Sequence, residues 1–165
     1  MLTSIYLNPL DEEQTNLRLL TRWKQVQTHE VRYKEYFIDD AEIVIVGFGT
    51  AGRVALSAVR TAREQGIKVG LLRPITVSPF PIERLDQLTG QARAFLVTEM
   101  NTGKMLDDVQ LAVHGRVPVE FYGRPGGVVP FPDEILNEIK RIASAPATAD
   151  TDARDAWLTR MTAQA

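Results

Sequence analysis

The sequence predicts an α/β protein of three layers, α/β/α, with a mostly parallel sheet of four to five strands and a long N-terminal helical arm. Three observations carry that expectation. Apolar, β-branched runs alternate with helix-period segments from Ala41 to Ala143, joined by short Gly- and Pro-marked connections. The run Ile43-Val-Ile-Val46 is apolar at every position, as in a strand covered on both faces. In front of it, the polar stretch Asp11–Asp39 spaces Leu17, Leu20, Trp23 and Val26 three apart, which suits an amphipathic helix.

Taken in order, Pro9-Leu-Asp11 starts the arm helix, and residues 1–40 read as an arm or interdomain linker. Ile43–Val46 is the first strand. Thr50–Gln65 follows as a helix with Val54, Ala55, Ala58, Val59 and Ala62 inward and Gly66 as its stop. Lys68–Leu72 is a strand closed by Arg73-Pro74, and Pro79–Pro81 opens a short helix through Leu88. Ala92–Val97 is the third strand. Asn101 or Thr102 caps a helix that turns Met105, Leu106, Val109 and Val113 inward, with Asp107 and Asp108 in its first turn. Val117–Phe121 is the fourth strand, Gly123–Gly127 a loop, and Pro132-Asp-Glu134 begins a helix with Ile135, Ile139 and Ile142 inward. Residues 144–165, rich in Ala and Thr, read as a flexible tail with a helix around Trp157 as its one structured part.

Composition removes several classes of function. The chain has 165 residues, a net charge of −2 and no Lys/Arg block, so nothing draws it to nucleic acid. It has no cysteine, which excludes thiolate catalysis, disulfides and an iron–sulfur cluster held by its own residues. No apolar window is long enough to span a bilayer, and Met1–Leu10 carries no basic leader pattern. The expected setting is the cytoplasm, with neither nucleic acid nor membrane as partner.

Gly47-Phe-Gly49-Thr-Ala-Gly52 is a G-x-G-x-x-G between a strand and a helix, the setting of a dinucleotide fingerprint. Such a site ends its second strand in Asp or Glu, and here that place holds Leu72-Arg73-Pro74. Arg73 leaves open an NADP-binding Rossmann-like alternative built on Gly47, Gly49, Gly52 and Arg73. The other reading is that the glycines only turn a strand sharply into a closely packed helix. The helix starts near Gly49-Thr50 and Asn101-Thr102 emerge at the carboxyl edge of the strands, where free N–H groups attract anions. Glu99 ends a strand at that edge, either as a general base lacking a partner or as an anchor for the next loop. His29 and His114 have no second ligand at metal spacing, and no serine lies in a nucleophile elbow. The residues alone therefore name no catalytic group and no metal ligand.

Three blocks carry a longer resemblance: Glu35–Val46 with Gly66–Thr76 and Pro79–Pro81; Ala94–Gly103 with Asp107–Val113; and Gly115–Gly127. Together they resemble the C-terminal region of the alpha subunit of 2-oxoacid:ferredoxin oxidoreductases of the 2-oxoisovalerate or 2-oxoglutarate type, a transketolase C-terminal-like domain. The resemblance implies that residues 41–143 are that domain, within an enzyme that oxidatively decarboxylates a 2-oxoacid to an acyl-CoA. Thiamine diphosphate, magnesium, iron–sulfur clusters and CoA belong to the complete enzyme, with none bound by this chain, which is inactive alone. The implied partners are an N-terminal domain of the same subunit, missing from a truncated chain, a thiamine-diphosphate-binding beta subunit and ferredoxin-type subunits. The fragment would also tend to self-associate. Candidate anion-site or interface-loop residues are Gly49, Thr50, Glu99, Asn101, Thr102, Lys104, Tyr122 and Arg124. Two positions depart from the family pattern: Lys104 stands where glutamine is frequent. Gly52 stands where a small side chain is more usual, so the completed glycine motif reads as coincidence.

Overall fold

The computed structural model describes residues 6–148 and 150–163. Its elements run α1 (Pro9–His29), β1 (Tyr33–Tyr36), β2 (Ile43–Gly47), α2 (Gly49–Glu64), β3 (Val69–Pro74), α3 (Ile82–Leu88), β4 (Ala94–Glu99), α4 (Lys104–Val113), β5 (Val119–Gly123), α5 (Pro132–Ser144) and α6 (Ala153–Thr162). The sheet has five strands in the order β1-β3-β2-β4-β5. β3, β2, β4 and β5 run parallel, and β1 pairs antiparallel with β3. α2 packs with α5 and α3 packs with α4, giving the expected three layers.

The expected core forms because the patterns place it there. All five residues of β2 are buried, and so are all six of β4, including Thr98 and Glu99. α2 buries Ala51, Gly52, Ala55, Ala58, Val59 and Ala62, which is the predicted stripe extended by one turn, with Val54 half-buried. α4 and α5 bury the predicted Met105, Leu106, Val109, Val113, Ile135, Ile139 and Ile142, and add Ala112 and Leu136. Phe95 and Phe121 are fully buried on adjacent strands.

Two segments differ from expectation. Tyr33–Tyr36, read as part of the arm, is the antiparallel edge strand, in register from Tyr33↔Pro74 to Tyr36↔Leu71. Its Lys34 and Glu35 mask the alternation, and the long-range pairing with β3 decides the outcome. The second is residues 144–165, expected as a flexible tail. α6 lies within it and packs on β5, with Trp157 7% exposed and its ring edge-on to Phe121 at 5.1 Å between centroids. The helix around Trp157 is as expected, but it is docked rather than free. α1 begins at the predicted Pro9, with Asn8 Oδ1 accepting from the Leu10 N–H at 3.1 Å, and it buries no residue.

Of the two readings of the glycine motif, the close-packing one agrees with the structure. A Cβ at Gly52 would lie 2.2 Å from the Gly47 carbonyl oxygen, so α2 reaches this closely to β2 only because residue 52 is glycine. Gly52 is a packing requirement of this backbone, and its match to a dinucleotide fingerprint needs no nucleotide to explain it.

Candidate functional site

The order of strands reverses between β2 and β4, because β2 leads to β3 on one side while β4 and β5 lie on the other. In open α/β sheets, ligands and partners meet the crevice outside the carboxyl ends of such strands. The predicted residues gather along this rim. Gly47 of β2 is level with Thr98 of β4, which is level with Tyr122 of β5.

On one face, α2 starts at Gly49, whose φ of +57° favours glycine. Thr50 is exposed in the first turn, and no side chain caps this helix. Arg73 lies across it: a Cβ on Gly52 would be 3.1 Å from Arg73 Cγ. The arginine stem thus packs against the α2 turn, and its Nε is buried without a hydrogen-bond partner.

On the other face, α4 starts at Lys104, and here the rim supplies its own anion. The Glu99 carboxylate accepts from the Met105 N–H at 3.0 Å and from the Leu106 N–H at 3.2 Å. Asn101 Nδ2 donates to Glu99 Oε1 at 3.0 Å, while Asn101 Oδ1 accepts from the N–H groups of Gly103 and Lys104 at 2.7 and 3.0 Å. Glu99 is 7% exposed. Of the two roles open to it, the geometry assigns the anchoring one: a buried carboxylate satisfies the orphan donors and the dipole of α4. The cap is shared by Glu99 and Asn101, and Thr102 takes no part through its side chain. The Lys104 side chain is exposed on the first turn.

Tyr122 lies at the end of β5 and Arg124 just beyond it, facing the start of α5. Arg124 pairs with Glu134 at 3.0 Å, and Glu134 accepts from the Phe131 N–H at 2.8 Å, fixing the Gly123–Gly127 loop to the helix start. Burial pushes the Tyr122 hydroxyl up to about 12, the negative charge of Glu134 adds to this, and Arg124 opposes it. This tyrosine stays protonated at neutral pH. It is a buried wall of the rim.

Sequence reasoning missed what holds the rim from outside. Arg154 donates to the Thr102 and Gly103 carbonyls and pairs with Asp107 at 2.6 Å. Trp157 Nε1 donates to the Gly123 carbonyl at 3.2 Å, and Arg160 Nη2 to the Phe121 carbonyl at 3.0 Å. The signal was the spacing Arg154, Trp157, Arg160, which puts all three on one side of a helix. Beneath it, the buried Glu120 takes hydrogen bonds from Arg141 and from the Ala147 N–H, and Glu138 joins Arg141 to Arg160.

A second surface lies away from the rim. The end of α1 and the start of α3 enclose an open groove of about 820 Å³, lined by Trp23, Tyr33, Pro79, Phe80, Pro81 and Ile82. Trp23 is 40% and Ile82 41% exposed, and further along α1 Leu10, Leu17 and Leu20 are at least half exposed. So much apolar side chain on one arm marks an interaction surface. Among the described residues, no three His, Asp or Glu side chains converge as metal ligands, and no helix is long and apolar enough to cross a membrane.

Comparison with known proteins matches this geometry to a family. Residues 41–135 match the family described as pyruvate:ferredoxin oxidoreductase core domain II. The ketoisovalerate oxidoreductase subunit VorB of Methanothermobacter marburgensis is 46% identical over 143 residues, which are 87% of this chain and 40% of that subunit. The 2-oxoglutarate synthase subunit KorA of the same organism is 33% identical over 132 residues, 80% of this chain and 35% of the subunit. The chain therefore spans well under half the length of these relatives. Among solved structures, 2-oxoglutarate:ferredoxin oxidoreductase from Magnetococcus marinus superposes with a TM-score of 0.69 at 19% identity, over 84% of this chain and 24% of that one. A split gene transketolase superposes with a TM-score of 0.55 at 14% identity, over 69% of this chain and 42% of that one. The fold is thus transketolase C-terminal-like, and the chain belongs to the pyruvate:ferredoxin oxidoreductase core domain II family of 2-oxoacid:ferredoxin oxidoreductase subunits.

Proposed function

We propose that this chain is the C-terminal assembly domain of a thiamine-diphosphate-dependent 2-oxoacid:ferredoxin oxidoreductase, which oxidatively decarboxylates a 2-oxoacid to an acyl-CoA. In this role it is inactive alone and works with other subunits or domains. The observation that carries the reading is the Glu99 cap. Among the described residues, the one buried carboxylate at the carboxyl rim is consumed by the backbone of α4, so it serves architecture rather than proton transfer.

The fit of the implied cofactors supports the same division of labour. An iron–sulfur cluster needs thiolates, and the chain has no cysteine. Magnesium on a pyrophosphate needs free oxygen ligands, whereas Glu99 and Asn101 are engaged with each other and with α4. In this proposal thiamine diphosphate, magnesium, iron–sulfur clusters and CoA are held by the rest of the enzyme. The groove of Trp23 and Phe80 and the exposed face of α1 meet the N-terminal domain of the same subunit. The rim around Gly49, Thr50, Lys104 and Arg124 meets the thiamine-diphosphate-binding subunit, with ferredoxin-type subunits beyond. The cytoplasm is the compartment in which such an assembly would work.

The NADP alternative is not favoured. Gly52 is explained by its contact with Gly47, and the second strand ends in Leu72-Arg73-Pro74 where a ribose-binding carboxylate would stand. The test is co-expression with a relative's remaining segments and a thiamine-diphosphate-binding subunit. Stable co-purification, weakened by Trp23→Ala or Phe80→Ala, is expected; co-purification indifferent to both would refute the assignment of the groove.

A further inference from the structure

α1 is the element the rest of the fold leaves uncovered: 21 residues long, it buries no side chain. A helix without a packed face is marginal in water, so its apolar residues call for a neighbour. Their spacing picks out one line. Leu10, Glu13, Leu17, Leu20, Lys24 and Gln27 follow one another at alternating steps of three and four residues, which sets them along a single stripe of the helix. All six are exposed. The stripe has the form of a coiled-coil seam, with leucines at its centre, Glu13 before them and Lys24 after. Among the described residues, neither Glu13 nor Lys24 is in an ion pair.

The charges decide what can lie against this seam. α1 carries Asp11, Glu12 and Glu13 near its start and Arg18, Arg22 and Lys24 further on. An antiparallel second copy sets the acidic part of each helix beside the basic part of the other and opposes their dipoles favourably. A twofold axis also makes every contact reciprocal. The register that places Leu17 on Leu20 of the second copy places Leu20 on its Leu17, Glu13 on its Lys24 and Leu10 on its Gln27. One register thus pairs leucine with leucine and acid with base. Parallel pairing would set Glu13 on Glu13 and Lys24 on Lys24, which repel. Gln27 and Lys24 line the groove between α1 and α3, so the first turns of the second α1 reach its wall.

We infer that this chain pairs with a second copy of itself through antiparallel α1 helices, with Glu13 and Lys24 setting direction and register. The inference does not rest on the enzyme reading. The N-terminal domain proposed above would displace the second copy from this face, and the failure of either idea leaves the other standing.

The experiment sediments the full chain over a range of concentrations, where a reversible dimer is expected. Glu13→Lys and Lys24→Glu should each weaken the dimer by about tenfold or more, because each sets like charges opposite one another on both sides of the axis. The double exchange Glu13→Lys/Lys24→Glu should restore it to within about threefold. Leu17→Ala/Leu20→Ala should abolish it. Because α1 buries nothing, these variants should unfold at the parent's midpoint when diluted to monomer. Direction is read by cross-linking. The chain has no cysteine, so Leu10→Cys and Gln27→Cys chains each carry a single thiol. On one helix these positions lie about 25 Å apart. In a mixture, a short thiol cross-linker should join one kind of chain to the other and neither to itself. A chain that stays monomeric at the highest attainable concentration would overturn the inference. So would a dimer indifferent to the single charge changes, a double exchange that restores nothing, or cross-linking of Leu10→Cys chains to each other.

Discussion

Gly52→Ala separates intrinsic helix preference from the packing found here. In a helix interior, replacing glycine by alanine ordinarily stabilises by about 0.5–1 kcal/mol. At residue 52 the new Cβ would lie 2.2 Å from the Gly47 carbonyl oxygen and 2.8 Å from its carbon. Both obstacles are backbone, so α2 must lift from β2, and Val59 and Ala55 beneath it lose contacts with the sheet. Overpacking of this kind costs about 1–3 kcal/mol, with the upper end expected where no side chain can yield. The net change is a destabilisation of about 1–2 kcal/mol, opposite in sign to the propensity effect. For a chain of this length each kcal/mol lowers Tm by about 2–4 °C. Denaturant unfolding followed by Trp23 and Trp157 fluorescence measures it. Gly90→Ala is the control, since its Cβ would meet nothing nearer than the Gln87 oxygen at 3.4 Å and should leave stability nearly unchanged. A Gly52→Ala chain as stable as the parent, or more so, would refute the close-approach argument.

The remaining predictions concern the rim and the arm. Glu99→Ala strands the Met105 and Leu106 N–H groups in a buried place and should cost about 2–4 kcal/mol, while Glu99→Gln keeps an acceptor and should cost less than half of that; chemical denaturation ranks the two. Tyr122 has a folded value of about 12 against about 10 unfolded. Between those values the unfolded chain binds fewer protons, so its contribution to stability is intact below about pH 10 and is lost as pH rises toward 12. Ultraviolet titration of the four tyrosines should show one ionising late, and Tyr122→Phe should remove that phase. Trp23→Ala should change stability by less than about 0.5 kcal/mol, because α1 buries nothing, yet weaken co-purification with partner segments. NADPH titration, followed by Trp fluorescence, should give no saturable micromolar binding.

Much of the fold was legible because its signals are local. Ile43–Val46 announces a covered strand, the alanine stripe of α2 announces a packed helix, and Pro9, Pro74 and Pro132 fall at boundaries the structure keeps. What escaped depends on residues far apart in the chain. β1 reads as polar until β3 is beside it, and α6 carries one large buried apolar residue, Trp157, whose partner Phe121 is on β5. The candidate site was legible in place but not in role. Its residues do gather at the rim, yet nothing in the spacing Glu99–Leu106 says that the carboxylate folds back onto the helix it precedes. Why residue 52 has to be glycine escapes for a similar reason, since the atom that forbids a side chain there belongs to Gly47, on a different element.

The most direct measurement of the central claim is 2-oxoacid-dependent reduction of a viologen dye by the purified chain, supplied with 2-oxoisovalerate or 2-oxoglutarate, CoA, thiamine diphosphate and magnesium. The account predicts no turnover until partner subunits are added. CoA-dependent reduction by this chain alone would contradict it.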